Sequence, residues 1–241
     1  MTVAKEIFVD EGAAARACAG RMERILEERL GETERAAIAV SGGNSPQAMF
    51  EALRASRIDW KRVHWFWVDE RCVAADDPGS NYGMTRAAIL DPAKIPEANV
   101  HRIQGERSPQ LAAERYADEL RAYFGLGEGQ FPEFDVLHLG MGEEGHTGSL
   151  FPGEPAIGDQ IDLTAAVSAP KPPHERVTLL PRVIQAARHV LFLVAGAEKA
   201  WAVGRVFGTE YDPLHWPAQI AMREARDVCW FLDRAAAQRV L

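Results

Sequence analysis

Cysteine is scarce in this chain, and its few copies are widely separated. The cysteines are Cys18, Cys72 and Cys229. An odd number of distant cysteines does not suit a disulfide framework, and no two of them have the spacing of a metal-binding pair. Reduced thiols of this kind are typical of a reducing compartment. The cysteine pattern therefore predicts a cytoplasmic protein without a metal site.

Long apolar runs and an excess of positive charge are also lacking. No stretch of 18 uninterrupted apolar residues is present, and residues 1–10 lack the basic and apolar regions of a signal peptide. We therefore expect neither a transmembrane helix nor a secretory leader. The formal net charge of -8 argues against binding to nucleic acid or to an anionic membrane. A small anionic substrate remains compatible with this charge, because a few local cations suffice for one phosphate.

What the chain does contain is an alternation of strand-like and helix-like segments. Strand patterns occur at 36–40, 63–68, 100–103, 134–139, 177–180, 190–194 and 228–232, and helical patterns at 12–30, 46–55, 81–90, 109–124, 198–207 and after 233. Strands separated by helices predict βαβ units. The sequence thus predicts an α/β fold, with a doubly wound, mostly parallel sheet and helices on both faces. Because no repeat or low-complexity linker interrupts it, we predict one domain over residues 1–241.

A glycine-rich loop carries the histidine of greatest chemical interest. The run Gly140 to Ser149 contains three glycines before His146 and follows the predicted strand at 134–139. Histidine is the side chain best suited to moving protons near neutral pH. Open α/β sheets place their active sites just past the carboxyl ends of their strands. A tight turn with a surface histidine is the alternative, and two further loops of similar character favour a site.

The second of these loops, Ser41 to Pro46, joins a predicted strand to a helix. Its glycines, small hydroxyl residues and new helix N-terminus are typical of an anion site, because free N–H groups and the helix dipole favour a phosphate. Ser45 is expected to cap the helix, with Pro46 as its first residue. The lysine of a P-loop is absent, and so is the glycine spacing of a dinucleotide fingerprint. The loop therefore suits a simple phosphate monoester, although many ordinary strand-to-helix turns look similar.

The third loop places charges directly after an aromatic strand. Asp69 and Arg71 follow the segment at 63–68, and Arg71 can form a forked contact with a phosphate or carboxylate. Lys199 stands near the start of a late predicted helix, where a cation does not help helix stability. A bound phosphate would explain Lys199, and a solvated lysine is the plain alternative.

Taken together, these segments resemble the 6-phosphogluconolactonase family. The resemblance rests on Ser41 to Pro46, Val68 to Arg71, Ser80 to Tyr82, Gly140 to Pro152, Arg176 to Leu179, Gly196 with Lys199, and Trp230 to Asp233. These matches follow the family's order and span nearly the whole chain. The resemblance implies a Rossmann-like fold related to that of glucosamine-6-phosphate deaminases.

The resemblance also implies an activity, namely hydrolysis of 6-phospho-D-glucono-1,5-lactone in the oxidative pentose phosphate pathway. His146 would be the general base, while Asp69 and Glu144 would orient His146 or the substrate hydroxyls. The phosphate would be held by Ser41, Gly42, Gly43, Arg71 and Lys199, with a further contact from Arg176. No cofactor and no metal are expected, and monomer and homodimer both remain open.

Two other functions are weighed against this one. In the related deaminases a glutamate stands five residues after the histidine and a tyrosine follows the Asp-Glu pair, whereas this chain has Phe151 and Arg71. A non-catalytic sugar-phosphate sensor on the same fold would not need His146. One departure concerns Glu144, because the lactonase family commonly has aspartate there, and the longer side chain leaves its hydrogen-bond geometry open.

Overall fold

A seven-stranded sheet forms the centre of the computed structural model, which describes residues 2–43 and 45–241. Within these residues the strands are β1 (Thr2–Phe8), β2 (Ala36–Val40), β3 (Val63–Trp67), β4 (Asp69–Arg71), β5 (Val100–His101), β6 (Val136–Leu139), β7 (Thr164–Ser168), β8 (Glu175–Leu179), β9 (His189–Val194) and β10 (Asp227–Asp233). The α-helices are α1 (Glu11–Glu32), α2 (Ser45–Arg54), α3 (Asn81–Thr85), α4 (Pro109–Phe124), α5 (Pro181–Ala186), α6 (Ala200–Gly208) and α7 (Ala221–Glu224). Asn44, which belongs to the predicted anion loop, lies outside the described residues.

The central sheet is parallel throughout, with strand order β1-β10-β9-β6-β2-β3-β5. Every residue of β2 and β6 is buried, so both faces of the sheet are covered at its centre. Buried parallel strands read as continuous apolar runs for this reason. The predicted doubly wound, mostly parallel α/β fold is confirmed.

The strand order reverses between β2 and β6. From β2 the chain proceeds outward through β3 to β5, and it then returns to place β6 on the other side of β2, followed by β9 and β10. Loops that leave two adjacent strands in opposite directions open a crevice at the carboxyl edge of the sheet. Both predicted glycine loops emerge here, since Ser41 follows β2 and Gly140 follows β6.

A second, smaller sheet stands beside this edge. It consists of β4, β8 and β7 in antiparallel order. Val68 links the two sheets, because its N–H donates to the carbonyl oxygen of Val40 at 2.9 Å and its own oxygen accepts from the N–H of Leu179 at 2.7 Å. The small sheet therefore begins where β3 ends and carries Asp69 and Arg71 to the crevice.

Most predicted elements are present, and the exceptions have local causes. The strand at 36–40 and the helix at 109–124 have the predicted bounds. The helix predicted from Pro46 starts one residue earlier, at Ser45. The helical tail predicted after 233 is wrong, because the last residues form turns. The strand predicted at 177–180 is present as β8 but lies in the small sheet, whereas β1, β4 and β7 were not predicted. The segments of β1, β4 and β7 are short or largely polar, and they acquire strand geometry only by pairing with distant partners.

Candidate active site

A cavity of about 670 Å³ opens at the carboxyl ends of the central strands. Its walls come from the loops after β2, β6 and β9 and from the small sheet. Of the residues predicted for the site, those that line this cavity are Ser41, Gly42, Gly43, Asp69, Arg71, His146, Arg176 and Lys199. Glu144 instead lines an adjoining pocket of about 210 Å³, which shares His146, Arg71, Arg176 and Lys199 with the cavity. Residues far apart in the sequence thus meet at one place.

The loop after β2 is held close to its neighbours. Ser41 is buried, and its Oγ donates to the carbonyl oxygen of His138 at 3.1 Å. A Cβ atom on Gly42 would lie 1.9 Å from Oδ1 of Asn81, so no side chain fits at this position. Gly43 has a φ of 115°, which only glycine adopts readily. The loop leads into the N-terminus of α2, where backbone N–H groups favour an anion.

The His146 loop is a tight turn closed by its own hydrogen bonds. The N–H of Gly142 donates to the oxygen of His146 at 2.9 Å, and the N–H of Gly145 donates to the oxygen of Gly142 at 3.0 Å. A Cβ atom on Gly142 would lie 2.0 Å from Nδ1 of His146. Gly145 has a φ of 87°, and a Cβ atom there would lie 2.9 Å from the Trp216 ring. Glycine is therefore needed at both positions, and the tight turn that they permit fixes the direction of the imidazole.

Glu144 and Phe151 contact the imidazole of His146. Nδ1 of His146 lies 3.2 Å from Oε2 of Glu144, in the geometry of an ion pair rather than of a straight hydrogen bond. The polar contact with His146 holds the pKa of Glu144 at about 2, below its ordinary value of 4.5. The Phe151 ring packs against the imidazole, with the ring centres 4.5 Å apart. Glu144 is therefore ionised near neutral pH and stands where it can stabilise a protonated imidazole.

Asp69 is buried in the cavity wall with both carboxylate oxygens engaged. Its Oδ2 accepts from Oγ of Ser149 at 2.6 Å, and its Oδ1 accepts from Nδ2 of Asn81 at 3.2 Å. Ser149 belongs to the His146 loop, and Asn81 begins α3. Asp69 thus joins three segments of the site and is fixed before any ligand binds.

Glu70 faces away from the cavity and has a different task. Its carboxylate accepts from the backbone N–H groups of Arg71, Asn81 and Tyr82 and from Oγ of Ser80, at 2.7 to 3.0 Å. Burial raises the pKa of Glu70 above its ordinary value, although these hydrogen bonds pull it back. Glu70 therefore fastens the first turn of α3 to the small sheet and orients Asn81.

Three cations face the cavity from different elements. Arg71 and Arg176 stand on β4 and β8, and Lys199 ends the short helical turn that precedes α6. Arg71 donates to the carbonyl oxygen of Gly79, and Nε of Arg176 donates to that of Pro173 at 2.8 Å. None of the three forms an ion pair with a carboxylate of the described chain. Their positive charge is therefore available to an anionic ligand.

Two buried residues of the site were given no role in the sequence-based expectations. Asn81 and Ser149 both contact Asp69, and both lie in segments that carry the family resemblance. That resemblance was their only signal, since a buried serine or asparagine in a loop has no distinctive spacing.

No three or more His, Cys, Asp or Glu residues of the described chain are grouped to hold a metal ion. No helix in it is long and apolar enough to span a membrane.

The fold and the cavity define a doubly wound α/β protein with a histidine and three cationic side chains at its switch point. Comparison with known proteins gives the family. Residues 9–230 match the model described as glucosamine-6-phosphate isomerases/6-phosphogluconolactonase, and the chain belongs to this family. The resemblance noted in the sequence is confirmed.

Individual relatives agree with this assignment. The chain is 39% identical over 218 residues to a 6-phosphogluconolactonase of Synechocystis, with 89% of each chain covered. It is 37% identical to a 6-phosphogluconolactonase of Mycobacterium leprae, which covers 100% of this chain and 99% of the relative. The crystal structure of 6-phosphogluconolactonase from Thermotoga maritima superimposes with a TM-score of 0.85 at 27% identity, covering 96% of this chain and 100% of the other.

Proposed function

We propose that this protein hydrolyses 6-phospho-D-glucono-1,5-lactone to 6-phospho-D-gluconate, the second step of the oxidative pentose phosphate pathway, with His146 as the general base. The observation that carries this proposal is the position of His146. Its imidazole lies in the same cavity as Arg71, Arg176 and Lys199, and it is held on one side by Glu144. The three cations can thus bind the phosphate while the imidazole of His146 lies near the lactone ring.

The proton transfers follow from this arrangement. Nδ1 of His146 faces Glu144, so Nε2 is the nitrogen that takes a proton from water. The water oxygen adds to the lactone carbonyl. The oxyanion that forms is stabilised by backbone N–H groups of the glycine-rich loop that carries His146. Collapse of this intermediate breaks the ring C–O bond, and the imidazolium returns its proton to the leaving ring oxygen. Glu144 stabilises the imidazolium between these two transfers.

The phosphate group accounts for the remaining predicted residues. Arg71, Arg176 and Lys199 supply charge, while Ser41, Gly42 and Gly43 supply the polar loop at the start of α2. Anchoring a remote phosphate positions the lactone carbonyl near the base, which lowers the entropic part of the barrier. Asp69 accepts a hydrogen bond from the sugar, because it is a fixed acceptor in the wall.

A deaminase on this scaffold is the second candidate, and one contact disfavours it. The position at which the related deaminases have a glutamate is occupied by Phe151, whose ring packs on His146. An apolar ring in this place cannot relay a proton. We further propose that the chain works as a single catalytic domain, because cavity residues come from positions 11 to 199 of one chain. We also propose that it works in the cytoplasm, as a monomer or homodimer.

The test is hydrolysis of freshly generated 6-phosphogluconolactone, with the spontaneous rate subtracted. Replacement of His146 by alanine should lower kcat by roughly 100- to 10,000-fold, the usual contribution of a general base. His189→Ala is the matched control, because His189 is the first residue of β9 and lies at the amino-terminal ends of the strands, whereas the cavity lies at their carboxyl ends. Absence of turnover by folded wild-type protein would refute the proposal, and ammonia release from glucosamine 6-phosphate would then favour the deaminase. Binding of 6-phosphogluconate without any turnover would indicate a sensor.

A further inference from the structure

Lys199 faces the cavity from a short turn that a single glycine begins. The strand β9 ends at Val194, and the chain then turns at Gly196, whose φ is 103°. One short helical turn, Ala197–Lys199, leads from there into α6. The N–H of Lys199 donates to the carbonyl oxygen of Gly196 at 3.1 Å. The direction in which the Lys199 side chain leaves the backbone therefore depends on how the peptide at Gly196 is held.

Asp233 holds that peptide from the neighbouring strand. It is the last residue of β10, which runs parallel to β9. The paired residues of the two strands end at Leu232 and Val194. Just beyond this point, Oδ1 of Asp233 accepts from the N–H of Gly196 at 3.1 Å. The carboxylate thus extends the contact between the strands past the end of the backbone ladder.

Asp233 is itself fixed by its own segment. Its Oδ1 also accepts from the N–H of Ala236 at 2.7 Å, and its carbonyl oxygen accepts from the N–H of Ala237 at 3.0 Å. Both alanines are fully buried. Asp233 is 8% exposed, and it is not among the residues that line the cavity or the adjoining pocket. It can therefore act on a ligand only through the residues that it holds.

The segment after Asp233 contacts α6 at a second point. A Cβ atom on Gly204, in the middle of α6, would lie 2.9 Å from the Cβ atom of Arg239. Glycine at this position lets the two backbones come close together. Residues 233–239 therefore contact both the turn that contains Lys199 and the helix that follows it.

We propose that Asp233 is a positioning residue for phosphate binding, because its bond to the N–H of Gly196 keeps Lys199 directed into the cavity. The proposal rests on the proposed lactonase function, which makes the bound anion a sugar phosphate. Without the carboxylate, the Gly196 peptide is free to rotate and the ammonium group of Lys199 loses its direction. The proposal also gives a role to Trp230 to Asp233, a segment that carries the family resemblance but takes no part in the catalytic steps.

The experiment measures KM and kcat of Asp233→Ala with freshly generated 6-phosphogluconolactone. KM should rise by roughly tenfold while kcat changes by less than about threefold, because a charge-assisted contact to the remote phosphate is weakened. Asp233→Asn should remain near the wild type, since it keeps Oδ1 as the acceptor. A wild-type KM in Asp233→Ala would overturn the proposal, and so would an Asp233→Asn variant as impaired as Asp233→Ala.

A double-mutant cycle separates positioning from a general loss of structure. In a Lys199→Ala background, Asp233→Ala should raise KM by less than about twofold, because the group through which it acts is gone. An equal rise in both backgrounds would refute the role. Asp227→Ala is the matched control, since Asp227 begins the same strand and contacts Arg21 and His189 away from the cavity. This control should lower the melting temperature and leave KM unchanged, and a KM as high as that of Asp233→Ala would count against the proposal.

Two further measurements cover the remaining cases. If Asp233→Ala does not fold, Asp233→Glu takes its place, because one more methylene moves the acceptor and should still raise KM. If the wild type hydrolyses no lactone, the proposed lactonase function fails, and calorimetric binding of 6-phosphogluconate to the same variants decides on Asp233. Weaker binding by Asp233→Ala than by Asp233→Asn would support its role. Equal affinities, or no binding by the wild type, would refute it.

Discussion

Arg71 and Arg176 occupy directly opposite positions on the antiparallel strands β4 and β8. Like charges in this relationship destabilise a sheet. Burial lowers the pKa of Arg176 below its ordinary value, and the nearby positive charge of Arg71 lowers it further. A dianionic phosphate between the two guanidinium groups would replace repulsion by two charge-assisted contacts. The paired arginines therefore lower the stability of the free protein and favour the binding of an anion.

This pairing predicts the effect of Arg71→Ala. The KM for the phosphorylated lactone should rise by roughly tenfold or more, while kcat changes less, because the lost contact is made to the remote phosphate. Steady-state kinetics with freshly generated lactone measure both constants. Arg86→Ala is the control, since Arg86 is exposed and pairs with Asp91. Unchanged kinetics in Arg71→Ala would remove this residue from the site.

The shape of the histidine loop predicts opposite outcomes for two glycines. Gly142→Ala should lower kcat by roughly tenfold or more, because its Cβ would lie 2.0 Å from Nδ1 of His146 and displace the imidazole. Gly140→Ala should retain activity, because no atom lies within 4 Å of the added carbon. Comparison of kcat for the two purified variants tests this. Equal activities would mean that the loop yields and that the imidazole direction does not matter.

The contact between Glu144 and His146 predicts a pH effect. The Glu144 pKa is lowered to about 2 from 4.5, so the stability it contributes is fully present above about pH 4.5 and is lost as the pH falls toward 2. As the pH is lowered from about 4.5 toward 2, the melting temperature of Glu144→Gln should therefore fall less than that of the wild type.

The same variant should also lower kcat. Without the Glu144 charge the imidazolium formed during turnover is less stable, so kcat should fall by roughly tenfold or more. Glu144→Asp keeps the charge and should remain closer to the wild type. A Glu144→Gln variant with the kcat of the wild type would mean that Glu144 does not act on His146.

Glu70 predicts a change in stability. Glu70→Ala should lower the free energy of unfolding by about 3 kcal/mol or more, because several buried N–H and hydroxyl donors lose their acceptor. Glu70→Gln should cause a smaller loss, since it retains one of the two acceptor oxygens. Denaturant unfolding measures these differences. Glu175→Ala, at an exposed position of β8, is the control and should have little effect. A Glu70→Ala protein as stable as that control would contradict the role assigned to Glu70.

The parts of the fold that were predictable have strong local signals. The apolar run of β2 and the periodic segment of α4, which is stopped by Gly125, were predicted with the observed bounds. The strand Asp69–Arg71 was not, because three charged residues have no strand propensity and pair only when β8 is brought beside them. The π-helical turn at Arg86–Leu90, which continues α3, was likewise expected only as ordinary helix.

The sequence by itself determined the alternation of strands and helices, the two glycine loops and the identities of the charged residues, because periodicity and backbone freedom are local properties. Only the tertiary structure decided which of these residues meet. The crossing from β5 back to β6 creates the switch point, and it joins residues separated by about a hundred positions, such as Ser41 and His138. The pairing of β4 in the small sheet also separates two neighbours: Asp69 faces the cavity, and Glu70 is turned toward α3. Adjacent residues of a strand point to opposite sides, so two neighbouring carboxylates receive different tasks.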